Sequence, residues 1–234
     1  MIKERIRNII PAKFKEFITY KPSNAFVKES YSQEGEDLML DIMLKYKKTG
    51  IYVDIGAHHP FKFSNTYYFY LKGWSGVCVD PMPDVKALFE KYRPRDTFLN
   101  LGVGLKRGDF KYYKMKDPAL NTFVEEVMRT RVSEGFDLKE VVDVRVLDLG
   151  SVLNESLIGD KIDFMSVDVE GLEKEVLLSN NWTKYKPSFI VVHLKSKSID
   201  DCLKSELANI LMLNNYRLYA KSYHSLFFKL NILD

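Results

Sequence analysis

The residues best suited to chemistry stand where predicted strands end. The first apolar run closes with Asp54 and Gly56, and the second closes with Asp80. Gly56 lets the backbone approach a ligand closely because glycine has no side chain. An acid at the end of the second strand can bind the two ribose hydroxyls of an adenosine, and Asp54 can accept hydrogen bonds from a ligand amine or from its own loop. The spacing predicts a nucleotide-like cofactor here, and the alternative is a plain strand-to-helix turn.

The glycine content of this turn separates the candidate cofactors. A dinucleotide pyrophosphate needs a G-x-G-x-x-G turn, so that backbone amides can reach its oxygens. Here a single glycine is followed by Ala57, His58, His59 and Pro60. S-adenosylmethionine has a ribose but no phosphates, so one close glycine and acids for its ribose and amino group would suffice. We therefore predict S-adenosylmethionine, and an NAD-dependent reductase is the weaker alternative.

A second reactive set follows the later strands of the sequence. Asp168 and Glu170 end the fourth strand, and His193 ends the fifth. Together they could hold one divalent cation, Mg²⁺ or Mn²⁺, whose Lewis acidity would lower the pKa of a bound sugar hydroxyl. Alternatively His193 or His58 acts directly as the general base. The structural alternative is that Asp168 caps a helix and His193 is a core residue. The remaining histidine, His224, lies in the C-terminal hairpin and is predicted to have no role.

These side chains require a scaffold in which strands and helices alternate. Apolar or β-branched runs predict strands at 51–55, 77–79, 97–101, 162–167 and 189–192. Helical periodicity predicts helices at 65–72, 83–92, 172–180 and 200–213, and a four-turn helix that Ser32 caps. Two further strands, 110–115 and 141–147, flank an irregular insert at 117–140, and a hairpin closes the chain at 216–220 and 226–230. The pattern is α/β: a mostly parallel seven-stranded, Rossmann-like sheet with helices on both faces and a C-terminal antiparallel hairpin, as in class I methyltransferases.

Composition restricts the class of protein. The chain has 234 residues, 46% of them apolar, and a net charge of +3. Residues 1–21 carry six basic and two acidic side chains, so the rest of the chain is close to neutral, which argues against a nucleic-acid partner. The two distant cysteines, Cys78 and Cys202, point to a reducing compartment, and we expect a cytoplasmic protein. No apolar run is long enough to predict a membrane span.

The N-terminal segment is distinct from the rest of the chain. Ile2, Ile6, Ile9 and Ile10 recur at helical spacing among basic residues. We predict a helical extension over 1–30 and a methyltransferase-like domain over 31–234. The extension could lie on an anionic membrane surface, but packing on the body or on a second subunit of a homo-oligomer is the preferred interpretation.

Four ordered blocks resemble the FkbM family of S-adenosylmethionine-dependent methyltransferases. They are residues 31–37, 53–57 with 64–67, 73–76 leading to Asp80, and 168–171. The resemblance implies methyl transfer to an oxygen, commonly that of a sugar. It places Asp54 and Gly56 near the methionine part of the cofactor, Asp80 at the ribose and Gly102-Val103 at the adenine. It also implies that the same cleft is lined by Gln33, Glu36 and Asn65. The run 58–60 and His193 depart from the family pattern.

The acceptor is predicted to bind at the insert 117–140. Arg129 and Arg131, with Lys106 and Arg107 nearby, could hold the diphosphate of a nucleotide-activated sugar. A solvated helix face explains the same residues without a ligand. The resemblance therefore implies a carbohydrate O-methyltransferase of surface-polysaccharide biosynthesis, and a non-catalytic binding module that keeps the fold is the other hypothesis.

Overall fold

Short apolar runs bounded by glycine or polar residues form the strands. The computed structural model describes residues 27–231 except 158, 160 and 195–197. In chain order, its strands are β1 (Ile51–Ile55), β2 (Ser75–Val79), β3 (Thr97–Leu99), β4 (Gly102–Val103), β5 (Gly108–Met115), β6 (Leu138–Leu147), β7 (Phe164–Val167), β8 (Phe189–His193), β9 (Tyr216–Lys221) and β10 (Ser225–Leu230). Seven of them form one sheet in the order β3-β2-β1-β7-β8-β10-β9. The first five pair in parallel and the last two form the antiparallel hairpin, so the predicted α/β architecture is confirmed.

The helices cover both faces of this sheet. They are α1 (Glu36–Met43), α2 (Tyr67–Leu71), α3 (Lys86–Tyr92), α4 (Glu125–Ser133), α5 (Leu149–Ser156), α6 (Glu173–Leu178), α7 (Ile199–Lys204) and α8 (Glu206–Leu213). On one face, α5, α6 and α8 bury Leu153, Leu177 and Leu211 against the aliphatic side chains of the strands. On the other face, Leu40 of α1 and Phe69 of α2 belong to an aromatic-rich cluster. Alternate strand residues point to opposite faces, so each face has its own core.

Two predicted helices differ from the structure. The first spans two turns: it begins at Glu36, after Gly35 with φ +84°, and ends at Met43, shortly before Lys45 and Tyr46 with φ +53° and +56°. Gly35, not Ser32, stands at its N-cap; the Ser32 hydroxyl donates to a carboxylate oxygen of Asp37 and accepts a long hydrogen bond of 3.4 Å from Asp37 N. The helix predicted over 200–213 is divided at Ser205, whose extended backbone ends α7 and whose hydroxyl accepts from Ala208 N to cap α8.

The strands predicted on either side of the insert belong to a separate sheet. Strands β5 and β6 pair antiparallel, and β4 pairs in parallel with β6, which gives a three-stranded sheet in the order β4-β6-β5. The strand predicted over 97–101 therefore stops at Leu99, and the chain leaves the large sheet to form β4. The insert itself contains a short 3₁₀ turn at Pro118–Leu120 and helix α4.

The predicted N-terminal helix lies mostly outside the described residues, which begin at residue 27. The boundary at residue 30 therefore stays a prediction. Within the described part of the chain, no helix has the length and apolar character needed to cross a membrane.

Candidate active site

A cleft opens at the carboxyl ends of β1, β2, β7 and β8, where parallel strands present their loops. It spans about 980 Å³ of space between atoms, part of which is open solvent. The predicted site residues that line it are Gln33, Glu36, Gly56, His58, Asn65, Asp80, Gly102, Val103, Asp168, Glu170 and His193. The topology therefore brings together residues that are up to 160 positions apart in the chain.

Asp80 presents a buried carboxylate to this cleft. One oxygen accepts a hydrogen bond of 2.8 Å from the backbone N–H of His58, and the other accepts one of 2.8 Å from Met82 N. Burial raises the pKa of Asp80 to about 6, although these two bonds favour the charged form. Each oxygen keeps a lone pair, so the carboxylate can still accept hydrogen bonds from a ligand.

Gly56 lies where the turn after β1 meets the turn after β7. Its φ is +85°, and a Cβ at this position would stand 1.7 Å from the carbonyl oxygen of Asp168. Two independent constraints therefore require glycine: the left-handed backbone and the contact with a neighbouring main chain.

Replacing Gly56 with alanine is expected to destabilise the protein strongly, because the backbone of the Asp168 turn must move. Gly35→Ala is the matched control, since Gly35 has φ +84° but no atom lies within 4 Å of the position that its Cβ would take. The control should lose about 1 kcal/mol of unfolding free energy, and Gly56→Ala should lose clearly more. Urea unfolding measures both, and equal losses would contradict the steric contact.

Asp54 does not line the cleft, although the sequence predicts it at the cofactor. Its side chain is buried, and one carboxylate oxygen accepts a hydrogen bond of 2.7 Å from the Thr66 hydroxyl. Burial raises the pKa of Asp54, and the bond from Thr66 opposes that shift. In this position Asp54 holds the segment before α2, and any effect on a ligand passes through that segment.

Beneath that segment lies a buried arginine that the sequence does not single out. The Arg93 side chain is fully buried and forms an ion pair with Asp96, with Nε 2.6 Å from a carboxylate oxygen. Its guanidinium also donates to the hydroxyls of Tyr52 and Thr66 and to the carbonyl of Pro60. Arg93 thus joins β1 to the loop that follows it. The only sequence signal is the three-residue spacing of an arginine and an aspartate after a helix.

His193 and Asp168 form a pair at the far end of the cleft. The Nδ1 atom of His193 lies 3.8 Å from a carboxylate oxygen of Asp168. The parallel pairing of β7 with β8 sets their tips side by side. This pair can take up a proton from a bound hydroxyl, with the carboxylate stabilising the resulting imidazolium.

His58 lines the same cleft from the β1 side. Its φ is +52°, an uncommon conformation for a bulky residue. Burial lowers the pKa of His58, and the neighbouring His59 and Lys62 lower it further. A neutral imidazole at pH 7 results, which is the state that a general base requires.

The predicted metal ligands do not converge on one point. Glu170 directs its carboxylate to Arg131, at 2.6 Å, rather than to His193. Across the described residues there is no group of three or more His, Cys, Asp or Glu side chains arranged to hold a metal ion. Asp168, Glu170 and His193 therefore do not form a three-ligand set in this geometry.

The predicted diphosphate clamp is also not formed. Arg131 is nearly buried in its pair with Glu170, and Arg129 pairs with Glu125 on the exposed face of α4. Arg107 pairs with Asp148. Within the described part of the chain, the residues that line the cleft do not include these arginines or Lys106. The insert contributes a mostly apolar wall instead, through Pro118, Ala119, Asn121 and Phe123.

The turn between β9 and β10 packs against the start of α1 and the residues before it, a contact that no sequence pattern predicts. The hydroxyl of Ser225 donates to a carboxylate oxygen of Glu36 at 3.0 Å, and the Ser222 hydroxyl oxygen lies 3.2 Å from the same oxygen. His224 stacks on His193, with ring centroids 5.7 Å apart and planes at 24°. His224, for which the sequence predicts no role, therefore lies beside the candidate base, and its role stays a prediction.

A family model and several solved structures match this chain. A family model described as "Methyltransferase FkbM domain" matches residues 54–218, more than half of the chain. The fibrillarin pre-rRNA processing protein of Methanococcus jannaschii is 12% identical, with 79% of this chain and 67% of that chain covered and a TM-score of 0.45. A TehB-like SAM-dependent methyltransferase of Corynebacterium glutamicum is 10% identical, with 95% and 100% covered and a TM-score of 0.44. No curated protein matches the sequence.

Proposed function

The chain belongs to the FkbM family of S-adenosylmethionine-dependent methyltransferases, and we propose that it methylates a hydroxyl oxygen of a carbohydrate. The resemblance of the sequence to sugar-modifying members supports a nucleotide-activated sugar of surface-polysaccharide biosynthesis as the acceptor. Cys78 and Cys202 are buried free thiols, which supports action in the reducing cytoplasm.

The observation that carries this proposal is the placement of Asp80 and the His193–Asp168 pair around one cleft. S-adenosylmethionine supplies a methyl group that its sulfonium already activates. Asp80 would hold the ribose of this cofactor, and the backbone at Gly102 and Val103 would hold its adenine. His193 removes the proton of the acceptor hydroxyl, the oxygen forms its new bond to the methyl carbon, and the electrons of the broken S–CH₃ bond stay on sulfur. Much of the rate enhancement then comes from alignment.

Screening tests this function directly. The full chain would be incubated with the labelled methyl donor and a panel of nucleotide-activated sugars and free glycosides. Label appearing on a sugar oxygen would support the proposal, and the product's ether position would be read by NMR. Calorimetry tests cofactor binding, which must precede methyl transfer. No binding of S-adenosylmethionine at millimolar concentration would overturn the proposed function. Binding without transfer to any acceptor would favour the non-catalytic module.

Cofactor binding should weaken as the pH falls through the pKa of Asp80, about 6. Above that pH the carboxylate is charged and accepts hydrogen bonds from the ribose, and below it the protonated group loses acceptor capacity. The dissociation constant should then rise by up to about tenfold per pH unit. Calorimetry on the acid and neutral sides of this pKa measures the change. Asp80→Asn should bind weakly on both sides, and an equally steep dependence in that variant would assign the titration to another group.

A further inference from the structure

The β9–β10 turn holds Glu34 as well as Glu36. One carboxylate oxygen of Glu34 accepts from the backbone N–H of His224 at 2.8 Å and from the Ser222 hydroxyl at 2.9 Å. The other oxygen contacts Nδ1 of the His224 ring. Burial alone would raise the pKa of Glu34, but these hydrogen bonds lower it, so the group is a carboxylate at neutral pH. A single charged group therefore fixes both the backbone and the ring of His224.

The backbone of His224 is also tied directly to the strand that carries His193. The carbonyl of His224 accepts a hydrogen bond of 2.7 Å from Leu194 N, and Ser225 pairs with His193 in the antiparallel register. The two imidazole rings stack at 5.7 Å. His193 thus has Asp168 near Nδ1 and the flat face of a second ring beside it, which together restrict rotation of its side chain.

We propose that His224, held by Glu34, is a positioning residue for His193. The inference rests on the proposed function, in which His193 is the base. His224 acts through the ring of His193 and does not touch the reacting atoms. Its contribution is geometric: a base that is displaced by about 1 Å can lose about a hundredfold in rate. The segment before α1 and the C-terminal hairpin therefore both belong to the catalytic machinery, although neither carries the base.

NMR of the full chain labelled with ¹⁵N-histidine tests this inference without an acceptor. In the presence of S-adenosylhomocysteine, the ring nitrogens of His193 should give one set of shifts in the native protein, because one ring orientation is held. His224→Ala should move these shifts towards the values of a mobile ring with mixed tautomers. His59→Ala is the control, since His59 does not line the cleft, and it should leave the His193 signals unchanged. Unchanged His193 signals in folded His224→Ala would overturn the proposal.

Glu34→Gln is a second variant that tests the proposal if His224→Ala does not fold. Glutamine preserves the size of the side chain but removes its charge, so the His193 shifts should change in the same direction by a smaller amount. Identical His193 shifts in this variant and the native chain would count against the role of Glu34.

Kinetics give a second readout once an acceptor is known. His224→Ala should lower kcat about tenfold or more and leave the dissociation constant of S-adenosylmethionine within about twofold. The same change in a His193→Gln background should cost nothing further, because the residue acts only through His193. An equal loss in both backgrounds would contradict the positioning role. Absence of cofactor binding in the native chain would instead contradict the proposed function. The NMR experiment would still decide whether His224 orients the ring of His193.

Discussion

Replacing Arg93 with methionine is expected to lower the free energy of unfolding by about 3–5 kcal/mol. Methionine fills similar space but leaves the Asp96 carboxylate without its cation, and the side chain of Asp96 is fully buried. The hydroxyls of Tyr52 and Thr66 and the carbonyl of Pro60 lose a donor at the same time. Removing one partner of a buried ion pair destabilises a protein strongly, because the other charge stays buried without compensation. Replacing both partners with apolar residues costs far less.

Urea unfolding followed by circular dichroism measures this loss. Arg129→Met is the matched control, because Arg129 also pairs with a carboxylate but is exposed on α4, where ion pairs contribute little. The difference between the two losses of unfolding free energy gives the part that is due to burial of the ion pair rather than to the change from arginine to methionine. Similar midpoints for both variants would show that the buried network does not stabilise the fold.

The second large effect is expected at His193. His193→Gln should lower kcat for methyl transfer by about a hundredfold to ten-thousandfold, the range of a lost general base. The affinity for S-adenosylmethionine should stay within about twofold, because Asp80 and Gly102 contact the cofactor in the proposed arrangement and His193 lies at the other end of the cleft. Initial rates with the labelled donor and calorimetry measure the two quantities separately.

His58→Gln separates the two candidate bases. If His193 is the base, this variant should keep most of the native kcat and change mainly the binding of the ligand. His59→Gln is the control for both, since the ring of His59 accepts from Phe61 N and Lys62 N outside the cleft. A full rate in His193→Gln together with a collapsed rate in His58→Gln would transfer the role of base to His58.

The main strands can be predicted from the sequence because each is determined by its own run of apolar residues. Strand β1 begins after Gly50 and ends before Gly56, so its apolar run has clear limits in the sequence. The first helix is shorter than its periodicity predicts at both ends, and at its C-terminal end Lys45 and Tyr46 adopt left-handed φ of +53° and +56°. Ser30 and Ser32 donate to Asp37, which commits the preceding residues to a turn.

The edge of the sheet that carries the site was predictable from strand ends alone, since parallel strands share one carboxyl edge. The partners of the charged residues were not. Arg131 pairs with Glu170, 39 positions along the chain, and no local pattern distinguishes that pair from a solvated helix face. Likewise nothing near His224 in the sequence shows that Glu34, 190 positions away, binds it.

The contact of Glu34 with His224 has a consequence for the order in which the site is built during translation. Glu34 leaves the ribosome early, whereas His224, which binds it, is made 190 residues later. Domains form such long-range contacts only after the later segment is available. A nascent chain that has already folded β1, β2 and β3 still lacks the closing side of its cleft. The proposed positioning of His193 by His224 therefore requires that synthesis has passed the last hairpin.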